Sequence, residues 1–230
     1  MTKRKTPVEG LTTRHILYLV FMHGIGAMIL DGSINFGLAV AMYKTSNQTV
    51  NLWSFPNTLA GDATVTVIIQ QLLTYILDQL SVKGDVNKGL VAPLMMPKNA
   101  NAVIRWFVGL DSYKSEQKMT TKEFVNFHGK RILVYIVVPW LIYWPITMGI
   151  LAGLRNHDVG EDTRGIGGDF NNWPLPEIFK GIYGFTLGIT TPFVSYIHLI
   201  YQGEIASARS EMELQARVSD EENDETKLTE

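Results

Sequence analysis

Five polar side chains recur at every fourth position of an otherwise apolar run: Asp62, Thr66, Gln70, Thr74 and Asp78, within residues 59–80. On a helix this spacing stacks them into one ridge. His23, Asp31 and Asn35, in a series that Ala27 and Ala39 complete, repeat the same period earlier in the chain. Carboxylates, amides and an imidazole on two such ridges could relay protons or hold an ion, or act as neutral hydrogen-bonded glue between helices. Asp31 stands out, because a charge at mid-membrane costs roughly 3 kcal/mol or more and marks a functional candidate by default. His198 falls at about the depth expected for His23 and Asp78. Two imidazoles and a carboxylate could bind a metal or relay protons, but no His pair at i,i+4 and no HExxH pattern accompanies them, so no metal site is assigned.

Lipid cannot satisfy a polar ridge, so these residues must face other helices or a water-filled path. Four apolar segments could provide them: residues 16–43, 59–80, 132–154 and 177–201. About 20 residues suffice to cross a bilayer. Pro139 and Pro145 in the third segment and Pro192 in the fourth are expected to kink them. Lys and Arg counts set the orientation. Residues 1–15 hold Lys3, Arg4, Lys5 and Arg14, the 44–58 connection only Lys44, and the 81–131 loop nine such residues. Both termini and loop 81–131 therefore read as cytoplasmic.

Within that loop, 90–96 is apolar but too short to span and could lie in the interface. Residues 103–110, with Arg105 and Trp106, read either as an interfacial helix or as a small helix packed on the bundle. Thr120 and Glu123 form a capping-box pattern from which a helix could run into the third span. The 155–176 connection, with Gly165, Gly167, Gly168 and Trp173, reads as a tight turn rather than a phosphate loop, since the Walker Lys-Ser/Thr is missing. Asn47 begins an Asn-Gln-Thr sequon, a candidate glycosylation acceptor. Residues 1–218 read as one membrane domain. Residues 219–230 hold six acids and one Lys and read as a disordered acidic tail.

The 230 residues are 46% hydrophobic, with a formal charge of −2 and no cysteine. No basic, aromatic-interleaved patch points to nucleic acid. Without cysteine there are no disulfides, thiolate chemistry, palmitoylation or prenylation. The first apolar run is too long for a signal h-region and reads as a retained span.

The first two segments should form an antiparallel hairpin. At about 1.5 Å per residue, Asp31 lies level with Gln70, Asn35 near Thr66 and His23 near Asp78. Gly24, Gly32 and Gly37 permit close helix approach, as do Gly184 and Gly188, a GxxxG pair that serves packing within the bundle or between protomers. The runs HGIGAMILDGSINFGLAVAMY and PNTLAGDATVTVIIQQLLTYILD resemble a family of small fungal integral membrane proteins with no assigned activity. The resemblance covers mainly the first two spans, implies a multi-span protein, and supplies no catalytic residues.

The expected fold is all-α: a four-helix transmembrane bundle with a long cytoplasmic loop. The expected role is a non-enzymatic accessory or organising protein. It would bind membrane lipid, or a protein partner through loop 81–131 or the acidic tail. The alternative is a small proton- or ion-coupled transporter or channel subunit using Asp31, Asp62, Gln70 and Asp78, which would need to oligomerise. A membrane enzyme around His23, Asp78 and His198 comes third. Catalytic residues, cofactor, organelle and oligomeric state are left open, a homo-oligomer included.

Overall fold

Leu59, Ala60, Ala63, Thr66, Val67, Gln70, Gln71, Tyr75, Asp78 and Val82 are all buried, a stripe at helical period that mixes apolar and polar side chains. They belong to the second long helix of a computed structural model that describes residues 5–45, 49–55, 57–109, 120–158, 170 and 173–228. Helix α1 spans Thr13–Lys44. It winds in wide, π-type turns over Tyr18–Gly26 and Val40–Lys44, with an ordinary α segment, Ala27–Ala39, between. A two-residue parallel pair, β1 (Val50–Asn51) and β2 (Asn57–Thr58), leads into α2, Leu59–Asn87. The short helix α3, Ala102–Val108, is capped by the Asn101 side chain, which accepts from the Ile104 amide at 2.9 Å, and ends at Gly109 with φ 80°. Helix α4 runs unbroken from Thr121 to Asp158, with Pro139 and Pro145 inside it. Helices α5 (Leu175–Leu187) and α6 (Thr191–Leu228) are joined by a 3-10 turn, Gly188–Thr190.

Among the described residues three helices, not four, are long and apolar enough to cross a membrane: Thr13–Lys44, Leu59–Asn87 and Val125–Leu154. The expected fourth span, 177–201, is broken by the 3-10 turn ahead of Pro192, which lacks the amide needed to continue an α-helical ladder. The third helix starts well before residue 132. At its start the Glu123 carboxylate accepts from the Thr120 amide at 2.9 Å and hydroxyl at 2.8 Å. These two bonds hold the Glu123 carboxyl below the ordinary carboxylate range. Beyond 218 the chain is not the structureless tail that its charge implies, because α6 continues to Leu228. Residues 204–228 are rich in Glu, Ala, Lys, Arg, Met and Leu, good helix formers, and this local propensity prevails over the charge. Asn47, Gly165, Gly167 and Gly168 lie outside the described residues.

Contacts group the chain into two compact units rather than one domain over 1–218. The first comprises Met1–Tyr18, Asp78–Gln117 and Val194–Glu230. There the 90–96 segment does not lie free on an interface. Leu94 is 2% exposed and its amide donates to the Leu199 carbonyl at 3.1 Å, while Val8 pairs with it on its other side. Gly203 makes room for it, since a Cβ there would strike the Leu94 carbonyl. His15, 2% exposed, ties the N-terminal segment in: its Nδ1 lies 2.7 Å from the Thr12 hydroxyl and its Nε2 2.9 Å from the Ala92 carbonyl. Those partners define the tautomer, with Nε2 carrying the proton. In α3, Val103 and Trp106 point outward while Val108 is buried.

The second unit comprises Leu19–Leu77 and Lys118–Phe193. Its core joins Ala39, Tyr43, Leu52, Leu59, Ala63, Val67, Met148, Leu151, Tyr183 and Leu187. Trp144 donates its indole N–H to the Ala60 carbonyl at 2.9 Å and stacks on Trp140, fastening α4 to the first turn of α2. The opposite faces of the long helices are apolar and exposed, with Phe21, Leu30, Ile34, Leu77, Leu133, Leu141 and Ile150 among the outward side chains.

Candidate functional site

The ordinary α-helical segment of α1 lies against α5, and four glycines set their separation. A Cβ on Gly32 would stand 2.9 Å from Phe185 Cβ, and one on Gly188 would stand 2.8 Å from the Met28 backbone. A Cβ on Gly184 would collide with the Asn35 carboxamide, and Gly181 faces Phe36. The GxxxG pair therefore packs within the chain. A Cβ on Gly24 would stand 3.4 Å from Pro192 Cγ, whereas one on Gly37 would meet open space, so Gly37 does not serve packing.

That close approach encloses a hydrogen-bonded polar group in the second unit. Gln70 donates through Nε2 to Asp31 Oδ2 at 2.8 Å and to the Gly184 carbonyl at 2.9 Å. Its Oε1 accepts from Asn35 Nδ2 at 2.9 Å, and the same Asn35 amide donates to the Asp31 carbonyl at 2.9 Å. Asn35 thus meets Gln70, one helical turn from Thr66. Both donors of Gln70 and both of Asn35 are engaged, and the two residues are 8% and 7% exposed. Thr66 is buried on the same stripe and Thr74 is half-buried. Further along α2, Tyr135 OH lies 2.8 Å from the Thr190 hydroxyl, which donates to Gln71 Oε1 at 3.1 Å.

A second cluster, charged, forms where the first turn of α2 meets α5. Lys180 Nζ donates to Asp62 Oδ1 at 2.5 Å, with side-chain exposures of 5% and 10%. Tyr43 OH donates to Asp62 Oδ2 at 2.6 Å. Lys180 was not singled out from the sequence. The available signal was a lysine three residues after Glu177 inside an apolar helix, but local spacing does not reveal a partner 118 positions away.

In the first unit Asp78 binds Ser195 and His198. Ser195 Oγ donates to Asp78 Oδ1 at 2.7 Å, and His198 Nδ1 lies 3.2 Å from Asp78 Oδ2. Ser, His and Asp are all present, with Ser195 and His198 both on the Asp78 carboxylate. All three are at most 5% exposed. His23 is buried and belongs to the other unit. Among the described residues no three His, Asp or Glu side chains converge as metal ligands.

The structure is thus a largely helical protein whose longest apolar helices carry polar groups bonded to one another. A family model described as a protein of unknown function (DUF2456) matches residues 104–199. The chain is 34% identical over 199 residues to an uncharacterized protein of Schizosaccharomyces pombe, covering 82% of this chain and 38% of that one. It is 24% identical over 252 residues to an uncharacterized protein of Saccharomyces cerevisiae, covering 82% and 78% respectively. The chain thus spans well under half the length of the S. pombe relative. No solved structure matches. The chain is similar to fungal proteins without an assigned function.

Proposed function

We propose that the chain is a multi-pass membrane protein with a non-enzymatic, organising or accessory role. Both termini would face the cytoplasm, and α5 and α6 together would make a fourth, discontinuous crossing. The outward apolar faces of α1, α2 and α4 support embedding in lipid. Loop 81–131 and the acidic C-terminal segment are the regions from which it would engage lipid or a protein partner. One observation carries the non-enzymatic reading: the Asp31, Asn35 and Gln70 network is closed on itself, with every side-chain amide proton already bonded inside the protein. Such a network holds helices together and leaves no donor for a substrate.

A second reading, a proton- or ion-coupled transporter or channel subunit, is favoured by the buried Asp62–Lys180 pair, because buried charges in apolar helices often mark ion paths. Reconstitution into lipid vesicles separates the two. The organising reading expects proton and alkali-ion flux equal to that of protein-free vesicles. Flux that disappears in Asp31→Asn or Asp62→Asn would replace it with the transporter reading.

A further inference from the structure

Residues 209–219 of α6 are exposed at every position. Ser219 closes that stretch, and its Oγ donates to the Ala216 carbonyl at 2.8 Å, a bond within its own turn. A helix exposed on all sides is held by local propensity and opens at little cost. Opening it at Ser219 breaks this bond and frees the hydroxyl. Five of the next six residues are acidic: Asp220, Glu221, Glu222, Asp224 and Glu225. The other serines of α6 stand in different surroundings. Ser195 is buried on Asp78, and Ser207 is half-buried. Ser210 directly follows Arg209, and the six residues after it hold two acids, Glu211 and Glu213.

From the exposed hydroxyl and the acids that follow it we infer that Ser219 is a phosphoacceptor for a serine kinase that recognises acidic residues. Such a kinase reads its substrate through lysines and arginines, and the carboxylates after Ser219 complement them. Ser219 Oγ attacks the γ-phosphorus of a nucleoside triphosphate. A new O–P bond forms as the bond from that phosphorus to the bridging oxygen breaks. The nucleoside diphosphate leaves with the electron pair, and the serine proton passes to the kinase's base. The phosphate adds about −2 of charge to the acidic segment already proposed to engage a partner. The inference rests on that reading in one respect: this end of α6 must face the cytoplasm, where kinases and nucleoside triphosphate meet it.

The test incubates the full chain, in detergent, with casein kinase II, an acid-directed serine kinase, and magnesium ATP. Trypsin cleavage after Arg217 and Lys227 releases residues 218–227, and fragmentation in a mass spectrometer distinguishes Ser219 from Thr226 within that peptide. Phosphate is expected on Ser219, and the Ser219→Ala variant should carry none at that position. Asp220→Asn, Glu221→Gln and Glu222→Gln, made together, keep the acceptor and remove three charge pairs with the kinase. They should slow modification of Ser219 by about tenfold. Protein kinase A, which selects basic residues, should leave Ser219 unmodified. Sealed microsomes with the cytoplasmic face outward separate the acceptor from the orientation. Modification without detergent supports both, while modification only after detergent supports the acceptor and overturns the cytoplasmic orientation. Three results overturn the proposal: no phosphate on Ser219 in detergent, an unchanged rate in the triple variant, or equal modification of Ser219 by protein kinase A.

Discussion

Substituting Gln70 by Leu strands the Asp31 carboxylate oxygen, the Gly184 carbonyl and an Asn35 amide proton at once, because all three bond to the one carboxamide. Each bond of this kind contributes around 1 kcal/mol between membrane helices, and a stranded partner costs more. Gln70→Leu should lower stability by about 2–3 kcal/mol, read as a loss in thermal or denaturant midpoint in detergent. Asp31→Asn keeps an acceptor oxygen of the same shape and should be close to neutral, while Asp31→Leu should cost about 1–2 kcal/mol. Equal stability of all these variants would rule out the network as glue. The pairing of Asp31 with Gln70 was legible in the sequence. The i+4 period named the faces, and the short connection between α1 and α2 forced them together at matching depth. The Lys180–Asp62 pair was not legible, because it depends on how α5 docks, and no local spacing encodes that.

At the level of elements, glycines that look alike in sequence have opposite roles. Gly188→Ala puts a methyl group against the Met28 backbone, and Gly32→Ala puts one against Phe185 and the Gly181 carbonyl. Neither backbone can yield cheaply, so each substitution should cost about 1–3 kcal/mol. Gly37 faces open space, and Gly37→Ala should be neutral or stabilise by up to about 1 kcal/mol, since alanine favours the helix. Midpoints of the three variants, measured side by side, check this. A destabilised Gly37→Ala with a tolerated Gly188→Ala would show that α1 and α5 meet on other faces. The 3-10 turn between α5 and α6 illustrates why the fourth span was misjudged. Pro192 was visible in the sequence, but the turn is held by Thr190, which bonds Gln71 and Tyr135 on two other helices. A hydropathy count reads straight through such a break. The reach of α6 past 218 was missed for a different reason: net charge argued for disorder while the residue types favoured a helix.

For the whole molecule, the alternation of Lys- and Arg-rich connections with poor ones sets the expected orientation. Glycosylation sequons placed in a lengthened 44–58 connection should be modified in a eukaryotic host, and sequons placed in 81–131 should not. The reverse pattern on a gel-mobility assay would invert the topology. The wide turns of α1 bear on how this chain tolerates changes in its length. A helix holding a wide turn has one residue more than an α-helix needs to cover the same rise. Losing one residue from Tyr18–Gly26 can be absorbed by tightening that stretch, with everything after it keeping its bearing. Losing one residue from Ala27–Ala39, where no slack exists, would swing Asp31 or Asn35 by about a quarter turn away from Gln70. The first helix thus has a forgiving end and an unforgiving middle, and insertions or deletions should accumulate accordingly.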